Sequence, residues 1–131
     1  MAMLDHVSLG CADLEASGAF YDAALAPLGY QRVFARNIGV AYGPGPDREG
    51  LLFWIIRPSR EDAGARRGTH VAFSATRRDD VDAFYHAALQ AGGKTNGEPG
   101  LRPEYSDTYY AAFVRDLDGH KIEAVCRAPQ V

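Results

Sequence analysis

Polar and apolar side chains alternate through residues 3–9 and again through 69–75, the period of a strand with one buried face. Each segment runs on into helical spacing. Phe20, Tyr21, Ala24, Leu25 and Leu28 form the first apolar stripe, with Asp13 placed to cap it and Pro27 and Gly29 to end it. Val81, Phe84, Tyr85, Ala88 and Leu89 form the second, with Asp79 or Asp80 as cap and Gly92-Gly93 as the stop. Strand-like pieces follow each helix, at about 30–35, 38–43 and 51–57, then at about 94–96, 109–116 and 120–127. "DLDGHK" at 116–121 predicts a hairpin, because Asp118-Gly119 suits the positive φ of a tight turn.

The two halves echo one another. Displaced by 64 residues, His6-Val7 falls on His70-Val71, "AFYDAAL" at 19–25 falls on "AFYHAAL" at 83–89, and Gly29 falls on Gly93. A gapless match over such a span marks a duplication. The pattern therefore predicts an α+β fold of two tandem βαβββ modules, forming a curved, mostly antiparallel sheet around a central cavity. Module one covers about 1–57 and module two about 68–131 of a single domain. The charged, aperiodic stretch between them, about 58–67, reads as a linker, and its arginines as solvated surface. Residues 93–110, rich in glycine, proline and polar side chains, read as a long loop of the kind that serves as a binding lid.

Composition narrows the partners. A chain of 131 residues with 47% hydrophobic and 24% charged residues can bury a core without disulfides or structural metal. Its net charge of −3 argues against nucleic acid. No apolar run is long enough to span a membrane, and no signal-peptide pattern opens the chain, so a cytoplasmic protein is expected. Cys11 and Cys126 form no disulfide framework, and Cys126 reads as a buried thiol closing the last strand.

Candidate chemistry follows from strand parity. Val7 and Leu9, then Val71, Phe73 and Ala75, form the helix-facing sets, which turns His6 and His70 to the opposite, concave face. In the last strand Ile122, Ala124 and Cys126 face the helices and Glu123 shares the face of the histidines. Taken singly, a strand histidine reads as an ordinary core residue and a strand glutamate as a solvent-facing one. Two imidazoles and a carboxylate on one parity of a duplicated scaffold instead predict a metal site with open coordination positions, suited to Fe, Mn, Ni, Co or Zn. By the same reasoning Phe53 and Ile55 face the cavity and Trp54 the helices, while His120 and His86 sit at the surface. Arg102, Tyr105, Tyr109 and Tyr110, in or beside the long loop, are candidates for an anion- or ring-binding lid, and Arg36 and Asn37 for the cavity rim.

"LDHVSLGCADLEASGAFYDAALAPLGY" at 4–30, "GTHVAF" at 68–73 and "YYAAFVRDLDGHKIEAV" at 109–125 resemble the vicinal oxygen chelate superfamily, the glyoxalase / bleomycin-resistance / extradiol-dioxygenase group. The resemblance spans nearly the whole chain. It implies paired βαβββ modules closing a U-shaped sheet around a divalent metal, with His6, His70 and Glu123 at the ligand positions. Glyoxalase-I-like members carry a fourth ligand on the last strand of the first half; here that strand is "GLLFWII", and Glu49 falls in the turn before it. The resemblance implies a metal-dependent enzyme acting on a small oxygenated substrate chelated through vicinal oxygens, by lyase, isomerase or extradiol-dioxygenase chemistry. Glu123 and Tyr105 would move protons, while Arg102, Tyr105, Tyr109, Tyr110 and Phe53 would contact the substrate. The alternative is non-catalytic sequestration of a small molecule or antibiotic. A homodimer is expected from the resemblance alone.

Overall fold

The computed structural model describes residues 3–46, 52–58 and 67–129. Glu49 and most of the expected linker lie outside them. Module one comprises β1 (His6–Gly10), α1 (Leu14–Leu25), a 3-10 turn (Ala26–Leu28), β2 (Gln31–Arg36), β3 (Gly39–Gly43) and β4 (Leu52–Ile56). Module two comprises β5 (His70–Ser74), α2 (Arg78–Gln90), β6 (Lys94–Leu101), β7 (Tyr110–Arg115) and β8 (Lys121–Cys126). Each is a βαβββ unit. The strands form two separate four-stranded mixed sheets, ordered β1-β4-β3-β2 and β5-β8-β7-β6, rather than one continuous curve. The first strand of each module pairs in parallel with the last, and the other pairings are antiparallel. No helix among the described residues is long and apolar enough to cross a membrane.

Local chemistry sets the helix ends. Asp13 caps α1, its carboxylate accepting from the Ala16 backbone N–H at 3.1 Å. Gly29 then reverses the chain at φ 85°, a conformation that costs other residues dearly. α2 departs from expectation: its N-cap is Arg77, with no side-chain cap, and Asp79 and Asp80 lie inside the first turn, where they favour the helix dipole.

Both helices and the inner faces of both sheets share one core. Phe20, Tyr21, Ala24 and Leu25 from α1 meet Val81, Phe84, Tyr85 and Ala88 from α2, and Phe53 in β4 packs edge-on against Phe73 in β5 at 5.0 Å. The other faces of the two sheets consequently turn outward, away from this core. Gly93 sits where the modules touch: a Cβ there would come within 2.9 Å of Phe20 and 2.8 Å of Val114.

A second device joins the modules. The β7–β8 hairpin carries Asp116 and Asp118 to the start of α1. Asp118 accepts from the Ala12 N–H and the Ser17 hydroxyl, and the Tyr21 hydroxyl donates to Asp116 at 2.5 Å. His120, expected at the surface, is buried: its Nε2 meets the Gly10 carbonyl at 2.7 Å and donates to it. Only Gly119 in this hairpin takes positive φ.

Two further expectations are corrected. Phe53 and Ile55 face the helices, Phe53 lying 5.0 Å from Tyr21, while Trp54 points to the opposite face and contacts Phe34 edge-on at 5.5 Å. The supposed loop from 93 is strand as far as Leu101. As the outermost strand of its sheet, β6 tolerates Pro99, and bulges at Thr95/Gly97 and Gly97/Gly100 absorb the irregularity.

Candidate metal and substrate site

The outward face of the C-terminal sheet holds the densest chemistry. Cross-strand register places Phe113 opposite Glu123 and Ala111 opposite Val125, with Ala72 beside Glu123 on the other flank. Glu123 is 1% exposed, a buried carboxylate that requires donors on both oxygens. It has them. His70 Nε2 lies 2.8 Å from Oε1, and the Tyr109 hydroxyl donates to Oε2 in a short hydrogen bond. Burial, then the hydrogen bond and negative charge of Glu123, push the Tyr109 phenol up to about 12, so it stays a donor at neutral pH.

Around this pair lies an aromatic floor ringed by cations. The His70 ring stands 6.0 Å from Phe113, and Tyr105 packs edge-on against Tyr109 at 5.0 Å. The Arg102 guanidinium and the Lys121 ammonium lie 5.4 and 5.0 Å from the Phe113 centroid, and Arg127 lies 4.8 Å from that of Tyr109. The loop carrying Tyr105 is pinned at its ends by a hydrogen bond from the Arg102 N–H to the Tyr109 carbonyl at 2.7 Å.

Other candidate residues lie elsewhere. His6 is on the outward face of the N-terminal sheet, its Nδ1 bound to Asp5 at 2.7 Å and its side chain 55% exposed. Among the described residues no three His, Cys, Asp or Glu side chains form a metal-holding group. The chain thus brings together His70 and Glu123 and leaves His6 apart. Tyr110 points to α2, its hydroxyl donating to Asp82 at 2.7 Å. Phe53 lies in the core, on the wall of a cavity of about 310 Å³ that also meets His70 and runs along β5. Arg36 stacks on Phe34.

The architecture matches a recurrent design. Residues 3–124 fit the family model described as the Glyoxalase/Bleomycin resistance protein/Dioxygenase superfamily. The chain belongs to that superfamily. Among solved structures, a glyoxalase/bleomycin resistance protein from Albidiferax ferrireducens T118 is 36% identical over 97% of this chain and 100% of its own, with a TM-score of 0.84. A putative glyoxalase from Bacillus halodurans is 26% identical over 95% of each chain, with a TM-score of 0.69. The fosfomycin resistance protein FosX of Listeria monocytogenes, 17% identical over 96% of this chain and 94% of its own, shares the fold with a TM-score of 0.68. Among proteins with curated descriptions, none matches the sequence. Members of the superfamily typically use divalent metals and bind small-molecule substrates.

Sequence reasoning singled out Glu123, His70 and Tyr109, but not the roles of Lys121 and Arg127. Lys121 shares the parity of Glu123, so its position on this face was readable from the strand period alone.

Proposed function

We propose that the chain is a divalent-metal-dependent enzyme acting on a small oxygenated molecule, and that it works as a homodimer. His70 and Glu123 of one subunit and His6 of the partner subunit would hold the ion. The observation that carries this reading is the buried Glu123 carboxylate held against His70 on an outward face. An imidazole nitrogen and a carboxylate oxygen suit borderline divalent ions, so the donor set fits. When bound, the ion would act as a Lewis acid on adjacent substrate oxygens. Tyr109 orients Glu123 through its hydroxyl, and Tyr105, 63% exposed above Tyr109, is placed to meet substrate and exchange a proton with it.

Topology supports the dimer. Among the described residues β1 and β5, which begin with His6 and His70, are each an outer strand with an unpaired edge. The shared core holds the two outward faces of one chain apart, so aligning β1 of one copy with β5 of another is the route that joins the histidines. Asp5 on His6 Nδ1 leaves Nε2 as the ligating nitrogen, the arrangement in which an outer carboxylate fixes the ring.

Metal content decides between the readings. Wild-type protein reconstituted with Zn²⁺ or Mn²⁺ should retain about one ion per chain. His70→Ala and Glu123→Gln should lose it. Mixing His6→Ala with His70→Ala and allowing subunits to exchange should restore about a quarter of the sites, because half the dimers are mixed and carry one intact site of two. No recovery on mixing would place the site within one chain; no retention by the wild type would favour metal-independent binding.

A further inference from the structure

We infer that the ligand of this site is a small organic anion, whose carboxylate or phosphoryl group is held by Arg102 and Lys121 with Arg127 at the rim. The assignment rests on the proposed function for the identity of the reacting centre, but the anion contacts belong to this chain alone. Three cations contact one aromatic cluster. Arg102 and Lys121 approach the same Phe113 ring, and Arg127 lies over Tyr109, which touches Glu123. Glu123 is already committed to His70 and Tyr109. Among the described residues no carboxylate forms an ion pair with any of the three cations. Glu98, Glu104 and Asp107 are exposed nearby without pairing to them. Glu123 sets one buried carboxylate against three cations, and the excess of positive charge favours an anion joining the group.

The backbone is shaped for the guanidinium. A Cβ at Gly97 would lie 3.3 Å from Arg102 Nη2 and 3.0 Å from Phe113, and one at Gly100 would lie 3.2 Å from Arg102 Nη1. The two glycines therefore leave the slot in which Arg102 lies over Phe113. Nη2 donates to the Glu98 carbonyl at 2.6 Å, which fixes the plane and leaves the remaining N–H groups for a ligand. A planar, anchored fork is the donor arrangement that reads two oxygens of one anion together.

The test titrates the full-length chain with glycolate, with its neutral isostere glycolamide, and with inorganic phosphate at constant ionic strength. Binding is followed by amide NMR shifts, once with chelator and once with saturating Zn²⁺. The wild type should prefer glycolate over glycolamide by roughly fivefold or more in both conditions. Under chelator, Arg102→Gln/Lys121→Gln should abolish that preference while keeping its thermal midpoint. Whichever of glycolate and phosphate binds tighter names the anionic group. Equal binding of glycolate and glycolamide by the wild type, or an unchanged preference in the double variant, overturns the assignment. Failure of the metal reading shows separately, as absent Zn²⁺ binding with the glycolate preference intact under chelator.

Discussion

Glu123 is where burial and chemistry meet at the scale of one residue. Its carboxylate stays inside because Tyr109 and His70 each satisfy one oxygen. Tyr109→Phe removes one of those donors and leaves Oε2 buried without it. Stability should fall by about 1–3 kcal/mol in denaturant titrations, and Zn²⁺ affinity by roughly tenfold to a hundredfold through the lost orientation. Parity made His70 and Glu123 legible because large apolar side chains alternate with them in β5 and β8. It failed in β4, where "LLFWII" is apolar at every position and the period carries no information about which of Phe53 and Trp54 faces the helices. His120 was misplaced for a different reason. Its burial depends on the Gly10 carbonyl, 110 residues away in sequence, and no local pattern encodes such a partner.

Among the elements, the β7–β8 hairpin does more than connect strands. It fastens module two to the start of α1 through Asp116 and Asp118. Burial, followed by the charge of Asp116, raises the Tyr21 hydroxyl well above its ordinary value of 10.0. Because the folded state holds the proton more tightly, this contribution is complete below pH 10 and is lost as the pH rises above it. Tyr21→Phe should cost about 1.5–3 kcal/mol at neutral pH, and its stability should fall less steeply than that of the wild type in alkaline denaturant titrations. Gly93→Ala tests the contact between modules sterically, since the new methyl meets Phe20, Val114 and the Ala88 carbonyl at 3.0 Å or less. A loss of about 1–3 kcal/mol is expected. The βαβββ order was readable from periodicity and from the repeat. The length of β6 was not, because glycine and proline mark turns locally and are tolerated here only by virtue of an outer-strand position.

For the whole molecule, the duplication announced two equivalent modules, but the sequence carries no sign that their outward faces diverge. That follows from the shared core, which neither half displays alone. Trp54, the single tryptophan, reports on the consequence, since it lies partly exposed on the same outward face as His6. Dilution below the dissociation constant of the proposed dimer should shift its emission to longer wavelength; an emission unchanged across concentration would argue against that face being covered. The Asp118 contacts to Ala12 and Ser17 span 106 and 101 residues, and Asp116 reaches Tyr21 across 95. On the ribosome, then, the first helix has to wait for nearly the last strand to emerge before it is locked. Until that moment the nascent chain holds its N-terminal sheet without its fastening, and this interval is when the protein is most open to capture by chaperones or proteases.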